Sequence, residues 1–296
     1  MSLIKVFCLA LLFVLFLFSC ERFDVSKQVI VEENVVYGEN LTQAGLATKL
    51  LLDIYRPNTK REDLPLLVLI HGGGFKTGSK EGLSKLASQI AQNDIIVAAI
   101  NYRLIDVEES LQAGLRGIID AVFDTKSAIR FLMSYNKRYK FDTDRIYVGG
   151  HSAGAITALH TAYLDQSYEV VWMGGIELLD YVELNGGLRG NSGNQLTLSP
   201  SIKGVINISG GITNIYFIQS GGPSIFSIHG KADKTVPIGG SRLTEFNIPL
   251  QGSSLIHNEA ERVDINSTLK VLKGGHSAFS TCGSCNSELV YFINSN

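Results

Sequence analysis

At 296 residues, 45% hydrophobic and 18% charged, the chain can bury a full-sized core and suits one large α/β domain or two small ones. Its net charge is −2 and its lysines and arginines are scattered, which excludes an electrostatic case for nucleic acid or an anionic membrane surface as partner.

Residues 1–19 read as an export signal rather than as part of the fold. Lys5 supplies the positive start, and Val6 to Phe18 is an unbroken apolar run. As a helix that run spans roughly 20 Å, short of a hydrocarbon core of about 30 Å, so a signal peptide is expected rather than a transmembrane anchor. Leu17-Phe18-Ser19-Cys20 resembles a bacterial lipobox, which predicts lipidation of Cys20. Phe18 is bulkier than that pattern usually carries, and ordinary cleavage nearby is the alternative. Either outcome puts the mature chain outside the cytoplasm, in the periplasm or on the cell surface, with any membrane attachment through the N-terminal lipid. Residues 20–28 read as a polar tether, and residues 29–296 as one folded domain.

Val29 to Tyr37 and Lys49 to Tyr55 are apolar runs of strand length and predict an antiparallel hairpin at one sheet edge. Leu66 to Ile70 has no polar alternation, as expected of a strand covered on both faces, and leads into His71-Gly72-Gly73-Gly74-Phe75. A helical pattern follows over Gly82 to Gln92, then a buried strand over Ile95 to Ile100. Ile118 to Tyr135 carries the period of a long amphipathic helix. Arg145 to Gly149 is a strand, and Ala155 onward is helix-forming. About forty residues, Asp165 to Ile202, separate that helix from the next strand, far beyond the usual connection of ~2–6 residues. This stretch reads as an insertion folded over the site, with Trp172 as a candidate pocket wall. Strands over Lys203 to Ser209, Ser224 to His229 and Thr268 to Leu272 follow, and a helix over Ser287 to Ile293 closes the domain. Alternating strands and helices predict a mostly parallel sheet wound on both faces.

Three loops at carboxyl ends of strands carry the chemistry. Gly150-His151-Ser152-Ala153-Gly154 joins a strand to a helix, which puts Ser152 at a sharp corner with its hydroxyl exposed and helix N–H groups beside it. The triple glycine lets backbone N–H groups of Gly73 and Gly74 approach a bound carbonyl, and with the Ala153 N–H they make a candidate oxyanion hole. A phosphate loop is the competing reading, but no Gly-Lys-Ser/Thr follows. Asp233, at the tip of the turn after the strand ending at His229, is the candidate acid, and His276, after the last strand, the candidate base. His257 is a rival placed on a predicted helix, Ser253 to Arg262. His71 and His151 flank the site and shape it, Phe75 and His151 are candidate substrate contacts, and His160 reads as a packing residue. Cys282 and Cys285 predict a short-loop disulfide in an oxidising compartment; a free pair is the alternative, and four zinc ligands at suitable spacing are not found.

The order Ser152, Asp233, His276 is that of the α/β-hydrolases, and the chain resembles that superfamily across nearly all of its mature length. Its His-Gly-Gly-Gly-Phe loop, Tyr55-Arg56-Pro57, Asn101-Tyr102-Arg103-Leu104 and the segment His229 to Pro237 resemble those of secreted bacterial esterases of the carboxylesterase, feruloyl-esterase and acetyl-xylan-esterase kind. It lacks the long N-terminal cap of the hormone-sensitive-lipase-like group. The resemblance implies an α/β-hydrolase fold and a serine ester hydrolase that forms an acyl-enzyme and needs no cofactor. Its substrate would be a small-molecule or polysaccharide-linked ester. A peptidase on the same fold and a non-catalytic binding protein are the other readings. No extra domain or acidic cluster favours the first, and no triad residue is missing to favour the second.

Overall fold

Uninterrupted apolar runs such as Leu64–Ile70 and Ile96–Ile100 bury every residue and form the centre of the sheet. The computed structural model describes residues 28–190, 192–194, 196–198 and 200–296. The stretches read as an export signal and a tether, with Cys20, fall within residues 1–27, outside the described residues. In chain order the elements are β1 (Val29–Leu41), β2 (Ala47–Pro57), β3 (Leu64–Ile70), α1 (Ser84–Ala91), β4 (Ile96–Ile100), α2 (Leu111–Ser134) and α3 (Asn136–Tyr139). Then come β5 (Phe141–His151), α4 (Ala153–Tyr163), α5 (Ser167–Leu184), β6 (Ile202–Ile208), β7 (Gly211–Ile212) and β8 (Ser224–Gly230). The chain ends with β9 (Ser241–Leu243), β10 (Ile248–Gly252), α6 (Ser253–Arg262), β11 (Ser267–Leu272) and α7 (Cys285–Ser295). No helix among the described residues is long and apolar enough to cross a membrane.

Eight strands form one sheet in the order β1-β2-β4-β3-β5-β6-β8-β11, and β7, β10 and β9 form a small second one. β1 pairs antiparallel with β2, and β2 with β4; the other pairings of the large sheet are parallel. Because side chains alternate along a strand, Leu66, Val68 and Ile70 pack with α2 and α4 on one face. Leu67 and Leu69 pack with α1 and α7 on the other. The predicted hairpin and doubly wound sheet are therefore present.

Two elements differ from the sequence reading. Helix α2 begins at Leu111, two turns before the predicted start, with the Ser110 hydroxyl accepting the Ala113 N–H as its cap. Gly114 and Gly117 dilute the helical pattern there. Both positions are pressed against neighbours, since a Cβ on either would stand 2.5 Å from Phe246 or 2.4 Å from Ile105. The small second sheet was not expected at all, because β7 and β9 span only two and three residues and Pro249 interrupts β10.

The long insertion contains α5 and is tied down by hydrogen bonds to α2 and to β1. Lys126 Nζ donates to the Leu188 carbonyl (2.7 Å), Arg130 to the Arg189 carbonyl (3.0 Å), and Asn194 to the Tyr37 carbonyl (3.2 Å). Among the described residues no hydrogen bond joins it to the loops after β3, β5 or β11. Its strongest tether is buried: Arg103 Nε lies 3.0–3.1 Å from both carboxylate oxygens of Asp124, and its Nη2 reaches Asp120 (3.2 Å) and the Ser192 hydroxyl (3.2 Å). The Ser192 hydroxyl in turn donates to Asp124. Removing one partner of such a cluster strands a buried charge. Asp124→Ala is expected to lower unfolding free energy by about 3–5 kcal/mol. Urea denaturation would measure it, and a loss below about 1 kcal/mol would contradict this account.

Candidate active site

Parallel register brings the candidate catalytic loops to one edge of the sheet. Ile70 at the end of β3 lies beside Gly150 of β5, and Leu272 at the end of β11 beside Gly230 of β8. The turns that leave β8 and β11 are bound to each other, with Lys231 N–H donating to the Leu272 carbonyl and Ala232 N–H to the Gly274 carbonyl (both 2.8 Å). The approach is so tight that a Cβ on Gly230 would sit 2.1 Å from the Gly275 oxygen.

Ser152 sits between β5 and α4 with φ 57° and ψ −121°. This is a strained conformation for a residue with a side chain and is characteristic of a strand-to-helix nucleophile turn. Two glycines permit it sterically, since a Cβ on Gly150 or Gly154 would stand 2.4 Å or 2.1 Å from the Ile70 carbonyl oxygen. The half-buried Ser152 hydroxyl makes no hydrogen bond to another described residue. Its amide donates to the Ile208 carbonyl (2.9 Å), pinning the corner to β6.

His276 Nδ1–H donates to Asp233 Oδ2 at 2.7 Å, so the free nitrogen of this imidazole is Nε2. Asp233 is buried, and its other oxygen accepts the N–H groups of Thr235 (2.9 Å) and Val236 (3.0 Å). His151 reaches the same loop: its Nε2–H donates to the His276 carbonyl (3.1 Å), and the two rings lie 4.8 Å apart. Burial lowers the His151 pKa. The elbow and the imidazole loop are therefore in direct contact through the residue that precedes Ser152.

The glycine loop folds back on itself, with the Gly73 carbonyl accepting N–H groups of Lys76 (3.1 Å) and Thr77 (3.0 Å). Gly73 has φ 118°, and a side chain there would meet the Thr77 oxygen at 2.1 Å. Among the described residues nothing accepts the N–H of Gly73 or Gly74. The Ala153 N–H opens α4 and has no intrahelical acceptor. His71 and Tyr102 fasten the loop from below: the rings stack at 4.4 Å, and the Tyr102 hydroxyl donates to the His71 carbonyl (3.1 Å). A cavity of about 870 Å³ adjoins these loops, with Gly72, Gly73, His151, Ser277 and Phe279 among its walls.

Two proposed substrate contacts are placed elsewhere. Phe75 is fully buried, packed edge-on to Tyr102, because its positive φ of 65° turns the side chain into the core. Trp172 is 56% exposed on α5, edge-on to Tyr168, and does not line that cavity. His257, the rival base, faces Ser267 (2.9 Å) from α6. His160 is buried between the Ile156 carbonyl and Thr213, and burial pushes its pKa down to about 4. Cys282 and Cys285 are joined by a disulfide with Cα atoms 5.5 Å apart, at the start of α7.

One functional neighbour was missed by sequence reasoning. His229, the last but one residue of β8, is buried with Nε2 2.7 Å from the Val236 carbonyl and 3.3 Å from Asp233 Oδ2. A signal existed: Ser227 and His229 put polar groups on one face of an otherwise apolar strand, and Asn207 pairs with Ser227 in register on β6. Together the groups are equipped for nucleophilic attack with relay of a proton.

Comparison with known proteins gives concordant likenesses. The family model described as BD-FAE matches residues 52–247. Isoprenylcysteine alpha-carbonyl methylesterase of Arabidopsis thaliana is 34% identical over 142 residues, covering 48% of this chain and 29% of that protein. Gut esterase 1 of Caenorhabditis elegans is 33% identical over 118 residues, 36% of this chain and 19% of that one. The chain thus spans less than a third of the length of these relatives. Among solved structures, Thermogutta terrifontis esterase 2 phosphorylated by paraoxon aligns with TM-score 0.63 at 18% identity, covering 90% of this chain and 91% of that one. A truncated carbohydrate esterase from gut microbiota aligns with TM-score 0.62 at 17% identity, covering 90% and 95%. Their likeness establishes a shared fold.

Proposed function

The chain belongs to the BD-FAE family, and on that premise we propose that it is a serine carboxylic-ester hydrolase working through an acyl-enzyme. Ser152 attacks the ester carbonyl while His276 Nε2 takes its proton and returns it to the leaving alcohol. Asp233 holds the imidazole in the tautomer that leaves Nε2 able to accept, and stabilises the imidazolium that forms. The N–H groups of Gly73, Gly74 and Ala153 bind the oxyanion, and water resolves the acyl-enzyme. The observation that supports this most directly is the 2.7 Å hydrogen bond from His276 to buried Asp233, on a loop touching the Ser152 elbow through His151.

Thermogutta terrifontis esterase 2 is phosphorylated by paraoxon. This chain is expected to hydrolyse p-nitrophenyl acetate and to lose that activity on stoichiometric modification of Ser152 by paraoxon, located by peptide mass spectrometry. Modification at another residue, or full activity after labelling, would overturn the assignment. The N-terminal apolar run and Cys20 support export and lipid anchoring as part of the same reading. Labelled palmitate should enter the wild-type protein and not Cys20→Ser.

A further inference from the structure

Behind the acid lies a chain of buried polar groups whose hydrogen-bond directions are fixed by its ends. Gly210 N–H can only donate, so the Asn207 side-chain oxygen faces it (3.1 Å). The Asn207 amide N–H groups therefore point at the hydroxyls of Ser227 (3.0 Å) and Ser253 (2.9 Å). The Ser253 oxygen also lies 2.6 Å from His229 Nδ1, and it donates its proton there when the ring proton sits on Nε2. At the far side of the ring, the Val236 carbonyl and Asp233 Oδ2 are both acceptors, which requires the proton on Nε2. Asn207, Ser227, Ser253 and His229 are all inaccessible to solvent, and burial lowers the His229 pKa. Burial thus works against the charged form, and the imidazole has a partner on each nitrogen.

Asp233 Oδ1 accepts two backbone N–H groups and Oδ2 accepts His276, while His229 Nε2, which gives its proton to the Val236 carbonyl, stands 3.3 Å from Oδ2. Hydrogen bonds fill three of the four acceptor positions of the carboxylate, and the polar Nε2–H edge of His229 lies beside Oδ2. We infer that His229, its tautomer set by Asn207 and Ser253, is a positioning residue for the acid of the proposed triad. It keeps Oδ2 aimed at His276 and tempers the negative charge that His276 feels. The inference rests on the ester-hydrolase reading for the role of Asp233. The titratable groups facing this cluster are His151, from the elbow, together with Asp233 and His276.

Withdrawing the polar His229 edge from beside Oδ2 leaves the carboxylate charge less offset and favours the protonated form of His276. The test is NMR titration of histidine-labelled protein, with His276 assigned by its loss in His276→Gln. In His229→Phe the His276 midpoint is expected to rise by about half a unit or more. His229→Asn keeps an acceptor toward Ser253 but cannot reach Asp233, and it should shift the same way if the phenylalanine variant does not fold. In His229→Gln an amide N–H can occupy the place of Nε2–H and should return the midpoint to the wild-type value. The acid limb of kcat/KM should move with the midpoint. An unchanged or lowered midpoint in the folded Phe or Asn variant, or no return with Gln, overturns the inference. The titration does not depend on turnover, so a wild-type protein that fails to cleave esters would count against the proposed function alone.

Discussion

Ser152→Ala is expected to lower kcat for p-nitrophenyl acetate by on the order of 10⁶, as for loss of the nucleophile in other triads. The change removes only the oxygen. The Cβ stays at the corner, and alanine at φ 57° bears much the same backbone strain as serine. The Ser152 hydroxyl holds no other described residue, and the amide that pins the elbow to Ile208 is kept. Stability should therefore stay within about 1 kcal/mol of wild type, which separates a chemical loss from a folding loss. What remains would be catalysis by the oxyanion donors and by binding, on the order of 10³-fold over water. A variant with near wild-type turnover would end the acyl-enzyme reading.

Asp233→Asn is expected to cost about 10⁴ in kcat at neutral pH, through the tautomer of its neighbour rather than through lost packing. The amide oxygen must go to the side where Thr235 and Val236 present N–H groups, because only an acceptor is tolerated there. The amide NH₂ then faces His276 Nδ1, which must accept instead of donate. That puts the imidazole proton on Nε2, the nitrogen meant to receive the Ser152 proton. The same NH₂ also opposes the His229 Nε2–H. Because the groups act as a unit, the double variant Ser152→Ala, Asp233→Asn should lose little beyond Ser152→Ala alone. A loss below about tenfold for Asp233→Asn would show that the hydrogen bond to His276 has no part in turnover.

Contiguous residues determined much of this protein. The apolar runs at Leu64–Ile70 and Ile96–Ile100 declared strands buried on both faces. Gly150 to Gly154 declared a strand-to-helix corner, and the order Ser152, Asp233, His276 declared which loops to compare. Such features are written in period and turn chemistry, which act over a few residues of chain. Other outcomes depended on partners remote in sequence. Phe75, turned inward by its positive φ, finds Tyr102 to pack against, and α2 starts early because Phe246 and Ile105 fill the space beside two helix-weakening glycines. His229 acquires a role only because Asn207, from β6, and Ser253, from α6, meet it in the interior. Burial and hydrogen-bond satisfaction are settled by strand register and helix packing, so the sequence alone marked the loops while the tertiary structure decided which side chains face one another.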